Sequence, residues 1–103
     1  MKFRTTTAFD SDFRRLAPEH QKLFLRMLRQ HFLPAIEAGA FAGTSRWPPK
    51  LRIHRLTSTA IYSVTWNFAS PDGRATFHVD KNEASEPILV WRRIGDHGSY
   101  DRP

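Results

Sequence analysis

Lys50, Arg52, His54 and Arg55 fall together in the middle of the chain, with no acidic residue between positions 46 and 71. Arg74, His78, Arg92, Arg93, His97 and Tyr100 follow in the last third. This set suits the cleavage of an RNA phosphodiester through its own ribose. That reaction needs a base for the 2′-hydroxyl, cations for the charge building on the phosphate, and an acid for the leaving 5′-oxygen. Histidine titrates near neutral pH and serves as either acid or base. Arginine stays charged and clamps phosphate oxygens in a planar fork. The same residues would equally form the solvated face of a basic sheet.

Other chemistries are excluded or disfavoured. There is no cysteine, so disulfides, zinc ribbons and thiol nucleophiles are ruled out. The five histidines form no His-x-x-x-His or His-Glu pairing, so neither a metal nor another cofactor is expected. His20 and His31 read as packing or surface residues of helices, and His54 and His78 lie on strands without a motif partner. Trp47, Trp66 and Trp91 read as core aromatics. Twelve of the 16 basic residues are arginine and the net charge is +6, which directs attention to nucleic acid, an acidic protein or an anionic surface.

The elements that must position these residues follow from periodicity. With 103 residues, the chain reads as one domain over 1–103, and its 40% hydrophobic content is that of a globular protein. Residues 2–6 read as a strand. Asp10 or Ser11 is expected to cap a short helix carrying Phe13 and Leu16. Pro18 opens a second helix, where Phe24, Met27, Leu28, His31 and Ala35 recur at helical spacing. Pro34 is expected to kink or end it, and Gly39 and Gly43 to close the helical half. A Pro-rich loop over 44–50 precedes strands at 51–56, 60–68, 74–80 and 88–94. The turn at Ser70-Pro71-Asp72-Gly73 is expected to use a positive φ at Gly73. The expectation is an α+β fold in β-α-α-β-β-β order, a helical hairpin packed on one face of a twisted antiparallel sheet. Ser63, Thr65 and Asn67 would then lie beside Arg74, Thr76 and His78 on the opposite, polar face. No apolar run has the ~18–20 residues of a membrane span, and no secretory signal is evident, so the default is a cytoplasmic protein without membrane contact.

Two blocks of residues carry a family resemblance. One runs from Trp66-Asn67 through Pro71-Asp72-Gly73 to Arg74-Ala75-Thr76-Phe77. The other is Trp91-Arg92-Arg93-Ile94-Gly95-Asp96-His97-Gly98-Ser99-Tyr100. With the strand–helix–helix start, they resemble the RelE/ParE superfamily of bacterial type II toxins, in particular actinobacterial-type members of the RelE/YafQ-like branch. The resemblance implies a RelE-like fold and a metal-independent endoribonuclease that cuts mRNA on the ribosome and inhibits translation. It implies catalytic roles for Arg74, Arg93, His97 and Tyr100. Lys50, Arg52, His54, Arg55 and Arg92 would bind RNA. The implied partners are mRNA, the ribosome and an antitoxin with an acidic or amphipathic segment, the free toxin being a monomer. Thr65 stands where many members carry an arginine, and Tyr100 follows His97 by three residues rather than four. Members of the ParE type share the fold and target DNA gyrase, and a non-catalytic relative would also share it, so these remain alternatives.

Overall fold

The computed structural model describes residues 2–41, 43–69 and 72–96. The first strand, β1 (Lys2–Thr5), leads into α1 (Thr7–Arg15). A two-residue link joins it to a long helical rod made of α2 (Pro18–Met27), a π turn (Leu28–Phe32) and α3 (Leu33–Glu37). A 3₁₀ turn at Pro49–Leu51 precedes β2 (His54–Arg55), β3 (Tyr62–Asn67), β4 (Gly73–Lys81) and β5 (Pro87–Asp96). No helix is long and apolar enough to cross a membrane among the described residues.

The strands form one sheet in the order β1-β5-β4-β3-β2. The expected α+β arrangement holds, with helices on one face, but the sheet is mixed. The meander β2-β3-β4-β5 is antiparallel, whereas β1 runs parallel to β5 with Lys2 opposite Ile88 and Thr5 opposite Trp91. No hairpin sets the direction of β1. The helical layer separates it from the meander, so periodicity does not reveal its sense.

Local chemistry accounts for the other departures from expectation. Thr6, not Asp10 or Ser11, caps α1: its Oγ1 accepts from the Phe9 N–H at 3.0 Å and donates to the Arg92 carbonyl at 2.7 Å. Asp10 instead lies in the first turn, where its charge suits the helix dipole. Pro34 neither ends nor breaks the rod. The turn before it widens, the Leu33 N–H bonding back to the Leu28 carbonyl, which relieves the clash a proline ring makes with the carbonyl four residues earlier. Gly39 (φ +99°) then closes the rod, its N–H donating to Ile36 and the Ala40 N–H to Ala35, both at 3.0 Å. The strand expected at 51–56 shrinks to His54–Arg55, because Pro49–Leu51 is helical and Arg52 adopts a left-handed conformation (φ 47°, ψ 42°).

Gly73 has no positive φ. A Cβ there would sit 2.5 Å from the Trp66 ring, so glycine is needed for packing rather than for a turn. Ser70 and Pro71 of that expected turn lie outside the described residues. The core joins Phe9, Phe24, Met27 and Phe32 of the helical layer to Val64, Trp66, Phe77, Leu89, Trp91 and Ile94 of the sheet. Trp91 is its hub, with ring centroids 5.2–5.4 Å from Phe32, Phe24 and Phe77.

Candidate nucleic-acid interface

The face of the sheet away from the helices is polar over β2, β3 and the start of β4, with Ile88 and Val90 of β5 as buried apolar residues farther along it, and pairing register sets its layout. His54 lies opposite Ser63, Ser63 opposite Thr76, and Thr76 opposite Arg93. One row along, Thr65 lies opposite Arg74, which faces Gly95. Ser63, Thr65 and Thr76 are buried, so their short hydroxyl side chains form a floor. Larger cationic and imidazole groups rise around it. The Oγ1 of Thr65 is buried and has no hydrogen-bond partner among the described residues.

Arg92 and Arg93 stand side by side in sequence but part company in space. Pairing passes from Thr76–Arg93 to Phe77–Trp91, so Arg92 is an extra residue in a β-bulge. The bulge also explains how Trp91 and Ile94, an odd number of residues apart, both reach the core. Arg92 donates to the Nδ1 of His78 at 3.0 Å on the polar face. Burial first, and then the Arg92 charge, lower the His78 pKa, against a smaller opposing pull from Asp80. His78 is thus neutral near pH 7, with Nδ1 as the acceptor and the proton on Nε2. That leaves the Nε2–H as the donor His78 can offer a ligand.

Arg93 turns toward α1. Its Nε and a terminal nitrogen donate to the two carboxylate oxygens of Asp12 at 2.7 and 3.0 Å. Arg74 is buried, and its Nε and a terminal nitrogen donate to one Asp72 oxygen at 3.0 and 2.6 Å. Asp72 also stands 3.8 Å from the Arg52 guanidinium, which is well exposed. Arg74 is therefore a fixed fork beside the hydroxyl floor, and Arg52 is an exposed cation at its rim.

The remaining expected residues separate. His54 lies in the Ser63–Thr76 row, and its Nδ1 sits 2.8 Å from the Arg52 carbonyl. Arg55 is exposed and pairs with Tyr62, which alternates with Ser63 onto the helix side. Lys50 is also on the helix side, its ammonium 5.4 Å from the centroid of Phe68. His97 and Tyr100 lie outside the described residues. Among the described residues no group of three His, Asp or Glu side chains is placed to hold a metal ion.

Sequence reasoning set His78 beside Arg74 and Thr76 on the polar face but counted it among neither the catalytic nor the RNA-binding residues, and it missed the carboxylates Asp12 and Asp72 that hold Arg93 and Arg74. The alternation Arg74, Thr76, His78 places all three on one face but does not show that His78 meets Arg92. The bulge that brings Arg92 to His78 leaves only the odd Trp91–Ile94 spacing as its trace.

No protein-family model and no curated protein matches the chain. Among solved structures, the fold is similar to that of HP0894, a conserved hypothetical protein of Helicobacter pylori. The TM-score is 0.46 at 17% identity, over 95% of this chain and 96% of that one. It is also similar to the toxin–antitoxin complex RelBE2 of Mycobacterium tuberculosis. There the TM-score is 0.45 at 19% identity, over 95% of this chain and 92% of the other. What this chain does chemically has to follow from its own side chains.

Proposed function

We propose that the polar sheet face binds single-stranded RNA and that the chain is the toxin of a type II toxin–antitoxin pair, cutting mRNA on the ribosome. The observation that carries this reading is the floor of buried hydroxyls at Ser63, Thr65 and Thr76, flanked by the Arg92–His78 pair and the Arg74 fork. A phosphate seated over this floor meets the His78 Nε2–H and the Arg92 guanidinium, which are only part-buried, with the exposed Arg52 and His54 at the rim. The ribose 2′-oxygen attacks phosphorus, the 5′-oxygen leaves, and a cyclic phosphate forms. His97 exchanges the protons, Tyr100 assists or stacks, and Arg74 and Arg92 meet the charge building on the phosphate. Arg52 and His54 at the rim hold the backbone. An antitoxin segment with acidic residues would cover this +6 chain on the same face.

Inducible expression in a bacterial host, with pulse labelling and primer extension on a reporter mRNA, tests the reading. Wild type is expected to arrest protein synthesis with cuts inside translated codons. His97→Ala is expected to lose roughly 10²–10⁴-fold in cleavage rate.

The pairing of Arg74 with Asp72 and of Arg93 with Asp12 favours a second reading, in which the face binds its target without cutting it. Arrest of DNA synthesis with intact mRNA would place that target at gyrase. Arrest of neither synthesis would leave a binding module.

A further inference from the structure

A second cleft lies around the sheet edge from the polar face, between the helical rod and the end of β3. It encloses about 230 Å³ and is lined by Arg26, Gln30, His31, Lys50, Trp66 and Phe68 among others. That is below the ~300 Å³ at which drug-sized ligand sites begin, so it suits one base rather than an oligonucleotide. Phe68 stands 49% exposed, although it is a large aromatic residue just beyond a strand. The Lys50 ammonium lies over its ring at 5.4 Å, and the His31 ring meets it edge-on at 6.3 Å. Gln30 and His31 belong to the π turn, a distortion that re-aims side chains and recurs at functional sites. An aromatic face with cations and an amide at its border is the composition that takes a nucleobase and its phosphate.

The cleft is tied to the polar face in two ways. Lys50 and Arg52 are two residues apart, so their Cα atoms are within about 7 Å. Yet Lys50 lines this cleft, while Arg52 reaches Asp72 beside Arg74. In addition, Trp66 lines the cleft and donates its indole N–H to the Arg74 carbonyl at 2.9 Å.

We propose that this cleft holds the base of a nucleotide flanking the one on the polar face, stacked on Phe68 with its phosphate on Lys50 and Arg26. Gln30 and His31 meet the base edge. Burial, and then the Lys50 charge, keep the imidazole below its ordinary pKa, so it both donates and accepts there. The inference rests on the reading that RNA crosses the sheet.

The test titrates the full chain with adenosine monophosphate, following the Trp66 indole N–H by nuclear magnetic resonance. Adenosine and inorganic phosphate are run beside it. Phe68→Leu keeps an apolar side chain and removes the stacking face, and a thermal melt checks that it folds. The expected result is a roughly 5- to 150-fold weaker affinity in Phe68→Leu, the range that loss of one stacked base gives. Lys50→Ala should weaken the monophosphate more than adenosine. Equal binding of the monophosphate by wild type and Phe68→Leu overturns the proposal, as does inorganic phosphate producing the whole response. Cleavage is read separately. A chain that cuts mRNA but binds the monophosphate independently of Phe68 overturns the cleft alone. Phe68-dependent binding without cutting supports the cleft and removes the cleavage reading.

Discussion

Asp12 and Arg93, 81 residues apart in sequence, are joined by two hydrogen bonds of 2.7 and 3.0 Å, and the same carboxylate accepts from the Ile94 N–H at 3.3 Å. This pair seals the stretch of β5 beyond the end of β1. There the edge of β5 away from β4 has no further strand paired to it among the described residues, and α1 lies against it instead. A guanidinium that is only one-third exposed is thereby given a partner, and an edge N–H an acceptor.

Asp12→Ala should therefore cost about 1–3 kcal/mol of unfolding free energy, the range for stranding a buried donor. Water reaching Arg93 keeps the figure at the lower end. In a cycle with Arg93→Ala, the two losses should not add, and urea denaturation measures the coupling. The pH dependence has a definite sign. Burial raises the Asp12 pKa, but the bonds from Arg93 and Ile94 and the charges of Arg93 and Arg15 outweigh it and hold the group below its ordinary value. The pair's contribution is thus complete above a pH of about 4, and is lost as the carboxylate protonates below it. Wild type and Asp12→Ala should converge in stability there.

Gly73→Ala tests the packing of Trp66. The added Cβ would meet the ring at 2.5 Å, and Trp66 is buried with its indole N–H bonded to the Arg74 carbonyl. The ring cannot swing aside cheaply. A loss of about 1–3 kcal/mol is expected from overpacking, with a matching fall in melting temperature. A loss near zero would mean the start of β4 yields instead of the ring.

The balance of what the residues announced and what they hid has a physical cause. Apolar alternation through Tyr62, Val64 and Trp66, and through Ala75 and Phe77, announced the strands and their core face, because burial of one face imposes period two. Helical spacing announced the rod. The sense of β1 and the bulge at Arg92 were not legible, since each depends on a partner distant in sequence, whereas Pro34 marked the place of a distortion in the rod but not its form as a π turn. For the site, the cluster of basic residues was visible but its geometry was not. Lys50 and Arg52 face different sides because Arg52 is left-handed, and Arg92 and Arg93 part because of the bulge. The carboxylates that hold Arg74 and Arg93 carry no motif at all.

Thr65→Val separates stability from binding. The Oγ1 is buried without a partner among the described residues, and removing such a group relieves its desolvation. The variant should be as stable as wild type or up to about 1 kcal/mol more so. If the hydroxyl floor meets a phosphate, RNA affinity should fall in the same variant, as measured by filter binding. A variant that is more stable and binds RNA undiminished would remove Thr65 from the interface.

The Arg92–His78 pair offers a pH test that a passive surface would not pass. Burial, and then the Arg92 charge, lower the His78 pKa, so its neutral form is favoured by folding. This stabilisation is present above the ordinary histidine value of about 6.5 and falls away as pH drops through the lowered value. Protonation also turns Nδ1 from acceptor to donor, facing the Arg92 guanidinium, and the 3.0 Å bond is lost. A phosphate bound at this position brings negative charge to His78 and should raise its pKa, so RNA binding takes up a proton. The expected outcomes are an imidazole titration below 6.5 in the free chain, a shift upward when RNA is added, and RNA affinity that rises as pH falls from 7 toward 5. Arg92→Met should move the free His78 part of the way back, since burial remains. In His78→Gln, the extra pH dependence of RNA binding should disappear while the salt dependence persists. Retention of that pH dependence in His78→Gln would locate the titrating group elsewhere and detach His78 from the interface.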